Sequence, residues 1–296
     1  MIKIKKYAAI DIGSNAIRLL VTNIVEQKNH EPQFNKSALI RVPIRLGQDA
    51  FTDGIITDEN IHRMCLAIEA YRLLMEVHKV EKYKACATSA MREAKNNTEV
   101  VAIIKEKTGI TIDIIDGKTE AKIIAASDLQ QYIKSNENYL YVDVGGGSTE
   151  FSLFVNGEIK AAQSFKNGTV RLLNNKVEEN IWDKIEHWIT KHTENLENIT
   201  LIGSGGNINK IFKLSGLPQD KPLSYIYLNT QYQQISAMTY EERIANLGLN
   251  PDRADVIIPA LTIYLKAMKW SGAKEIFVPK IGLSDGIIKA MYYGKV

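Results

Sequence analysis

The stretch Ala8-Ala9-Ile10-Asp11-Ile12-Gly13-Ser14-Asn15 is echoed much later by Leu140-Tyr141-Val142-Asp143-Val144-Gly145-Gly146-Gly147-Ser148-Thr149-Glu150. Each copy runs an apolar, largely β-branched or aromatic segment into an aspartate and then into small residues. A second apolar run follows, Ala16–Val25 after the first and Phe151–Val155 after the second. Each therefore reads as a β-hairpin. Its glycine-containing turn lets main-chain N–H groups converge on one point, as an anion requires. One such turn is an ordinary hairpin turn. Two of them, each with an aspartate just before the glycine, predict duplicated domains with a shared anion chemistry. The separation is far beyond the roughly 20–50 residues of solenoid repeats, so two domains are expected rather than an array.

Composition fits that reading. The chain has 296 residues, 45% hydrophobic and 24% charged, which is a globular composition sized for two domains. Disorder, coiled coil and collagen-like structure are excluded. The longest apolar stretch, Val256–Leu265, contains Pro259 and Thr262 and falls short of the ~20 residues of a membrane span. The basic start Met1–Lys6 leads into an apolar run that stops at Asp11, so no signal peptide is expected. Cys65 and Cys86 lie in no C-x-x-C or Cys/His cluster. This points to a reducing cytoplasm and away from structural zinc. The formal net charge of +3 tolerates a polyanionic ligand without requiring one.

Between and after the hairpins the pattern alternates α and β. Thr57 is placed to cap a helix reaching about Val77, with Ile61, Met64, Cys65, Ile68 and Met75 on one face. Tyr83–Thr88 reads as a buried strand, and Asn97 or Thr98 opens a helix that Gly109 ends. Ile110–Ile115 reads as a strand, Asp116-Gly117 as a turn and Thr119–Ile133 as a helix. Later come a helix over Glu178–Leu196, a strand Ile199–Ile202 and the turn Gly203-Ser204-Gly205-Gly206 with a helix starting from it. A helix over Asp252–Trp270, a strand Glu275–Val278 and a last helix from about Leu283 complete the pattern. Leu217–Ala237 gives no clear signal. His62, His78, His187 and His192 read as surface residues, and Trp182 and Trp188 as core. Neither a G-x-x-x-x-G-K-[ST] nor a G-x-G-x-x-G after a strand is present, which excludes a P-loop and the standard dinucleotide fingerprint.

Phosphoryl transfer needs amides and cations around the phosphate oxygens, usually magnesium, and a positioned nucleophile. Candidate phosphate contacts are Gly13, Ser14 and Asn15 in the first loop and Gly145, Gly146, Gly147, Ser148 and Thr149 in the second. Gly205 and Gly206 lead into a helix N-terminus. Asp11 and Asp143 are hard oxygen ligands suited to magnesium, or Asx-type turn residues bonding their own backbone. Arg92 follows a strand end, where α/β proteins place ligands, and suits a phosphate clamp or a solvated helix start. Glu120, in the first turn of a helix, is a candidate to activate water, or simply an acidic residue answering the helix dipole. Glu150 competes for the same role, or is a polar residue on an exposed strand face. The residues alone do not rank the two. Lys118, Lys166, Arg171 and Lys210 are candidates for a polyanion track or for solvated surface.

Seven segments resemble the exopolyphosphatase/guanosine-pentaphosphate phosphohydrolase family of the actin-like ATPase superfamily. They are AIDIGSN (Ala9–Asn15), ATSAMR (Ala87–Arg92), GKTEA (Gly117–Ala121), VDVGGGSTE (Val142–Glu150), IGSGGN (Ile202–Asn207), RADVI (Arg253–Ile257) and GLSDGI (Gly282–Ile287), in the family's order. The resemblance implies an α/β fold of two ribonuclease-H-like domains facing an interdomain cleft. The expected domains are 1–125 and 126–296, with the helix 283–296 a candidate to pack back on the first. It also implies Glu120 as the general base, Glu150 at the same site, and Asp143, with Asp11, near magnesium. Three departures stand out: Thr119 where the family usually has a second acid, Ser284 where it usually has arginine, and LGQD (Leu46–Asp49) for the usual LGEG. Longer members carry further C-terminal helical domains, so a two-domain form is expected.

The resulting expectation is a cytoplasmic, magnesium-assisted exopolyphosphatase acting on linear polyphosphate. Guanosine pentaphosphate is the alternative substrate. A kinase or ATPase of the same superfamily and an idle phosphate sensor are remoter alternatives. Neither nucleic acid nor membrane is an expected partner, and a homodimer is among the expectations.

Overall fold

A computed structural model describes residues 2–125, 129 and 132–295. The chain divides into two compact units, Met1–Asp128 with Gly282–Val296, and Leu129–Ile281.

The first unit opens with β1 (Ile2–Ile12), β2 (Ile17–Gln27) and β3 (Gln33–Val42), followed by α1 (Leu46–Thr52), α2 (Asp58–Val77) and β4 (Lys82–Ala87). Then come α3 (Ser89–Glu93), α4 (Asn97–Thr108), β5 (Ile112–Ile114) and α5 (Gly117–Ala125). The sheet order is β3-β2-β1-β4-β5, with β1, β2 and β3 antiparallel and β4 and β5 added in parallel. The outer half of β1 is exposed, whereas Tyr7–Ile12 is buried. That places the β1–β2 turn at the end where the sheet is covered. Thr57 caps α2 by accepting from the Asn60 N–H, and the five apolar residues read as one face are all buried. Gly109 ends α4 in the left-handed conformation (φ 74°).

The second unit repeats the plan with β6 (Asn138–Val144), β7 (Thr149–Val155), β8 (Glu158–Phe165), α6 (Thr169–Leu173), α7 (Ile181–Thr193), β9 (Ile199–Ser204) and α8 (Gly206–Ser215). It continues through β10 (Leu223–Ser224), α9 (Tyr225–Ser236), α10 (Tyr240–Leu247), α11 (Pro251–Ala254), α12 (Ile257–Ser271) and β11 (Glu275–Phe277). Its sheet order is β10-β11-β9-β6-β7-β8. Counting from β6, the first three strands form an antiparallel meander, and β9 joins β6 in parallel, as in the first unit. The last helix, α13 (Leu283–Tyr292), belongs to the first unit and packs on α5, β1 and β2.

Several elements differ from the sequence reading. The helix expected over Asp252–Trp270 breaks into α11 and α12. Pro259 thereby falls in the first turn of α12, where its missing N–H leaves no helical bond unmade. The unassigned segment after Leu217 contains α9, capped by Ser224 Oγ accepting from the Tyr227 N–H at 3.1 Å. Helix α5 begins at Gly117, two residues before the expected start, and much of its expected continuation to Ile133 lies outside the described residues. Trp182 and Trp188 pack against the core of the second unit. His62 and His187 are exposed, while His78 and His192 are half-buried. Among the described residues no helix is long and apolar enough to cross a membrane.

Candidate active site

Both hairpins turn through four residues in the same way. Ile12 pairs with Ile17 and Val144 with Thr149, which leaves 13–16 and 145–148 as the tips. The Gly13 N–H donates to Ala16 O at 3.1 Å and the Gly145 N–H to Ser148 O at 3.0 Å. This corrects the expectation that Gly13 and Gly145 offer their amides to phosphate: those N–H groups close the turns. The next amides are different. The N–H groups of Gly146, Gly147 and Ser148 meet no acceptor among the described residues. Gly147 and Ser148 are buried, and N–H groups in such places are ordinarily satisfied. A row of this kind suits an anion.

The hydroxyls expected to help are already engaged. Ser14 Oγ lies 2.9 Å from Ser89 Oγ, both buried, so the first loop is tied to the start of α3. Ser148 Oγ donates to Glu150 Oε1 at 2.6 Å. Thr149, 0% exposed, donates to Asn167 O at 2.6 Å. The structure therefore corrects Thr149 from a phosphate donor to a strut of the loop. Its buried hydroxyl has one proton to donate, and it is already donated to the Asn167 carbonyl.

Strand register explains how the two copies diverged. In the first unit Arg41, Arg18, Asp11 and Cys86 lie side by side across β3, β2, β1 and β4. The matching row of the second unit, across β8, β7, β6 and β9, is Ser164, Glu150, Asp143 and Ser204. Cross-strand partners share a face, so one row is rich in arginine and the other in carboxylate. Arg18 Nη1 donates to Asp11 Oδ2 at 2.7 Å, and Asp11 is buried. Arg18 thus already pairs with one oxygen of Asp11. Asp143 instead faces Glu150 and has the Tyr141 hydroxyl 3.5 Å from its Oδ2. Glu150 is buried, contrary to its reading as an exposed strand residue, and its Oε1 also accepts from Ser164 Oγ at 2.9 Å.

Among the described residues no group of three or more His, Cys, Asp and Glu side chains gathers into a metal site. Magnesium does not demand one. It keeps several waters and takes one or two carboxylates together with substrate phosphates. The half-buried Asp143, opposite Glu150, fits that requirement.

Glu120 is 9% exposed in the first turn of α5. Asp116 fixes that turn: its Oδ1 accepts from the Thr119 N–H at 2.7 Å and its main-chain O from the Glu120 N–H at 2.9 Å. The hydrogen bond from Thr119, helped by Arg92 and Lys118, holds the Asp116 carboxyl below its ordinary range. Arg92 Nη1 donates to Ile115 O at 2.8 Å and stands 4.0 Å from Glu120 Oε2. One arm of this arginine is thus fixed to the backbone, and its charge lies beside the carboxylate.

In the second unit Gly205 caps α8, and the Arg253 guanidinium lies over Gly206, with Nη2 3.3 Å from where a side-chain carbon would stand. Of the basic residues considered for a track, Lys118 and Lys166 are exposed, Lys210 is half-buried and Arg171 is buried. Burial, with Lys213 and Arg253 nearby, lowers the Lys210 pKa. Sequence reasoning passed over Arg18, Gly168 and the structural places of Gly47 and Arg171. Only the arginine opposite Asp11 in a hairpin register gave a signal that could have been used.

The profile of the Ppx/GppA phosphatase family matches residues 23–293. A bifunctional 3-dehydroquinate synthase/phosphatase of Fusobacterium nucleatum is 30% identical over 97% of this chain, which spans 46% of that relative's length. A putative exopolyphosphatase of Haemophilus influenzae is 27% identical, covering 97% of this chain and 90% of its own. Among solved structures, an exopolyphosphatase from Cytophaga hutchinsonii superimposes with a TM-score of 0.84 at 26% identity, covering 98% of each chain.

Proposed function

The chain belongs to the Ppx/GppA phosphatase family, a family of hydrolases, and from that premise we propose that it is an exopolyphosphatase that releases terminal orthophosphate from linear polyphosphate. The observation that carries this reading is the second hairpin tip. Three successive amides, of Gly146, Gly147 and Ser148, meet no acceptor among the described residues and lie beside the carboxylates Asp143 and Glu150. Donors fixed in advance at the place where charge redistributes are the largest contribution an enzyme makes to such a reaction.

Glu120 is the general base. It takes a proton from water as the water oxygen bonds to the terminal phosphorus and the anhydride P–O bond breaks, leaving a polyphosphate one unit shorter. The guanidinium of Arg92 stands 4.0 Å from this buried carboxylate. Glu150 holds Ser148, and through it the end of the amide row. Asp143, with Glu150, is where magnesium would be held; when bound it neutralises phosphate charge. The family name of several relatives and the phosphate chemistry of the loops support polyphosphate as the substrate. Guanosine pentaphosphate is the competing substrate, and the assay below separates them.

The test measures orthophosphate release from polyphosphate, guanosine pentaphosphate and ATP, with and without magnesium, for the wild type, Glu120→Gln and Asp143→Asn. Polyphosphate is expected to be turned over fastest. Glu120→Gln should lower kcat by ~10²–10⁴, the usual worth of a general base, with polyphosphate binding retained. Asp143→Asn should raise the magnesium concentration needed for half-maximal rate. A Glu120→Gln enzyme within tenfold of wild type, by the same measure, refutes the assignment.

A further inference from the structure

The amide row at 146–148 does not orient itself. We infer that the segment Asn167–Arg171, which joins β8 to α6, holds the second loop in its anion-binding form, with Gly168 and Arg171 as positioning residues. The inference rests on the phosphate reading of that loop.

Every carbonyl of the loop's three glycines is captured from one side. The Thr169 N–H donates to Gly145 O at 3.0 Å, the Val170 N–H to Gly146 O at 2.8 Å, and Arg171 Nε to Gly147 O at 2.7 Å. No peptide bond among the described residues is cis. In a planar trans peptide the C=O of one residue and the N–H of the next point in opposite directions. Capture of the carbonyls of 145, 146 and 147 therefore turns the N–H groups of 146, 147 and 148 away from the segment. Those are the three amides of the loop that meet no acceptor among the described residues.

Gly168 makes this approach possible. A side-chain carbon at 168 would stand 2.3 Å from Gly146 C and O and 2.4 Å from Gly147 N. Its φ of −92° is open to any residue, so the demand for glycine is one of space alone. Arg171 is 7% exposed. An arginine is rarely buried to this degree unless it is paired, and here its Nε serves one carbonyl of the loop. This excludes the reading of Arg171 as solvated surface.

The first unit solves the same problem at the same place. At the junction of β3 and α1, the Gly47 N–H donates to Ser14 O at 2.7 Å and the Arg45 N–H to Asn15 O at 3.1 Å. A side-chain carbon at Gly47 would stand 2.9 Å from Ser14 Cβ. Both duplicated hairpins are thus gripped by the junction that follows their third strand, through a glycine that permits close contact. The second unit adds the arginine.

The test uses the full chain with pyrophosphate as the probe: its Kd by calorimetry, the Tm without ligand, and KM and kcat on polyphosphate. Arg171→Lys keeps the charge but has no nitrogen where Nε stands. It should weaken pyrophosphate binding about 10- to 100-fold, as expected when a hydrogen bond from a charged group is lost, and raise KM, with the unliganded Tm unchanged. Gly168→Ala, if it folds, should lose at least as much. Lys160→Ala, an exposed change on β8, should match the wild type. An Arg171→Lys protein with wild-type Kd and KM overturns the inference, whether or not Gly168→Ala folds. Wild-type protein that binds pyrophosphate but releases no phosphate from polyphosphate overturns the proposed activity and leaves the positioning role standing if Arg171→Lys weakens that binding. Wild-type protein that binds neither probe overturns both.

Discussion

Helix α13 packs on α5, the helix that carries the candidate base, through a contact only glycine permits, and Gly286→Ala measures what that contact is worth. A side-chain carbon at 286 would lie 2.2 Å from Ile123 O and 2.8 Å from Ile123 C, both backbone atoms of α5. Carbon and carbonyl oxygen normally meet at about 3.3 Å, so α5 and α13 must separate by roughly 1 Å. Overpacking of this kind costs about 1–3 kcal/mol, which for a unit near 150 residues is roughly 2–12 °C in Tm. Glu120 lies one turn before Ile123 on the same helix, and a 1 Å misplacement can cost ~10² in rate. Calorimetry and initial rates of phosphate release are the assays. Gly282→Ala is the control, because a side-chain carbon there would meet nothing within 4 Å. The expected result is a loss of both Tm and kcat for Gly286→Ala and neither for Gly282→Ala. A stable, fully active Gly286→Ala, or equal losses in both variants, refutes the argument.

Two further outcomes follow from titratable groups. Asp116 has its carboxyl below the ordinary value of 3.8, first because of the Thr119 N–H. The stability it lends α5 is therefore fully present above pH 3.8 and is lost as pH falls through the lower folded value. Asp116→Asn keeps the acceptor oxygen without titrating, so its Tm should fall less than that of the wild type over this acid range; parallel Tm–pH curves would contradict the cap. Burial pushes the Cys86 thiol up to about 12, with Lys84 opposing. At pH 8 about one thiol in ten thousand is then ionised, so alkylation of Cys86 in the native protein should be slow and should become fast on unfolding. Rapid labelling of the folded chain would show that the strand opens.

The hairpins, α2 with its Thr57 cap and α4 with its Gly109 end were legible because their signals are local. Strands β3 and β8 were not. β3 has no fully buried residue and β8 is polar over much of its length, so neither shows the alternation of a half-buried strand. The junctions that grip the loops were missed with them, since each begins where one of these strands ends. The break between α11 and α12 was legible in principle at Pro259, whose ring suits a first turn and not a helix interior.

For the site the division is similar. The sequence by itself determined that two glycine turns, each preceded by an aspartate, lie in duplicated α/β units, because strand pattern and turn chemistry are properties of neighbouring residues. Only the tertiary structure decided which groups in those turns remain available. Gly13 and Gly145 use their amides to close the turns, Arg18 pairs with Asp11, the Asn167 carbonyl accepts from the Thr149 hydroxyl, and the main-chain N–H groups of Thr169 and Val170 with Arg171 Nε hold the three glycine carbonyls. A hydrogen-bond donor can be claimed by whatever acceptor the fold brings within 3 Å or so, and most of those acceptors come from strands or junctions that the local sequence does not reveal.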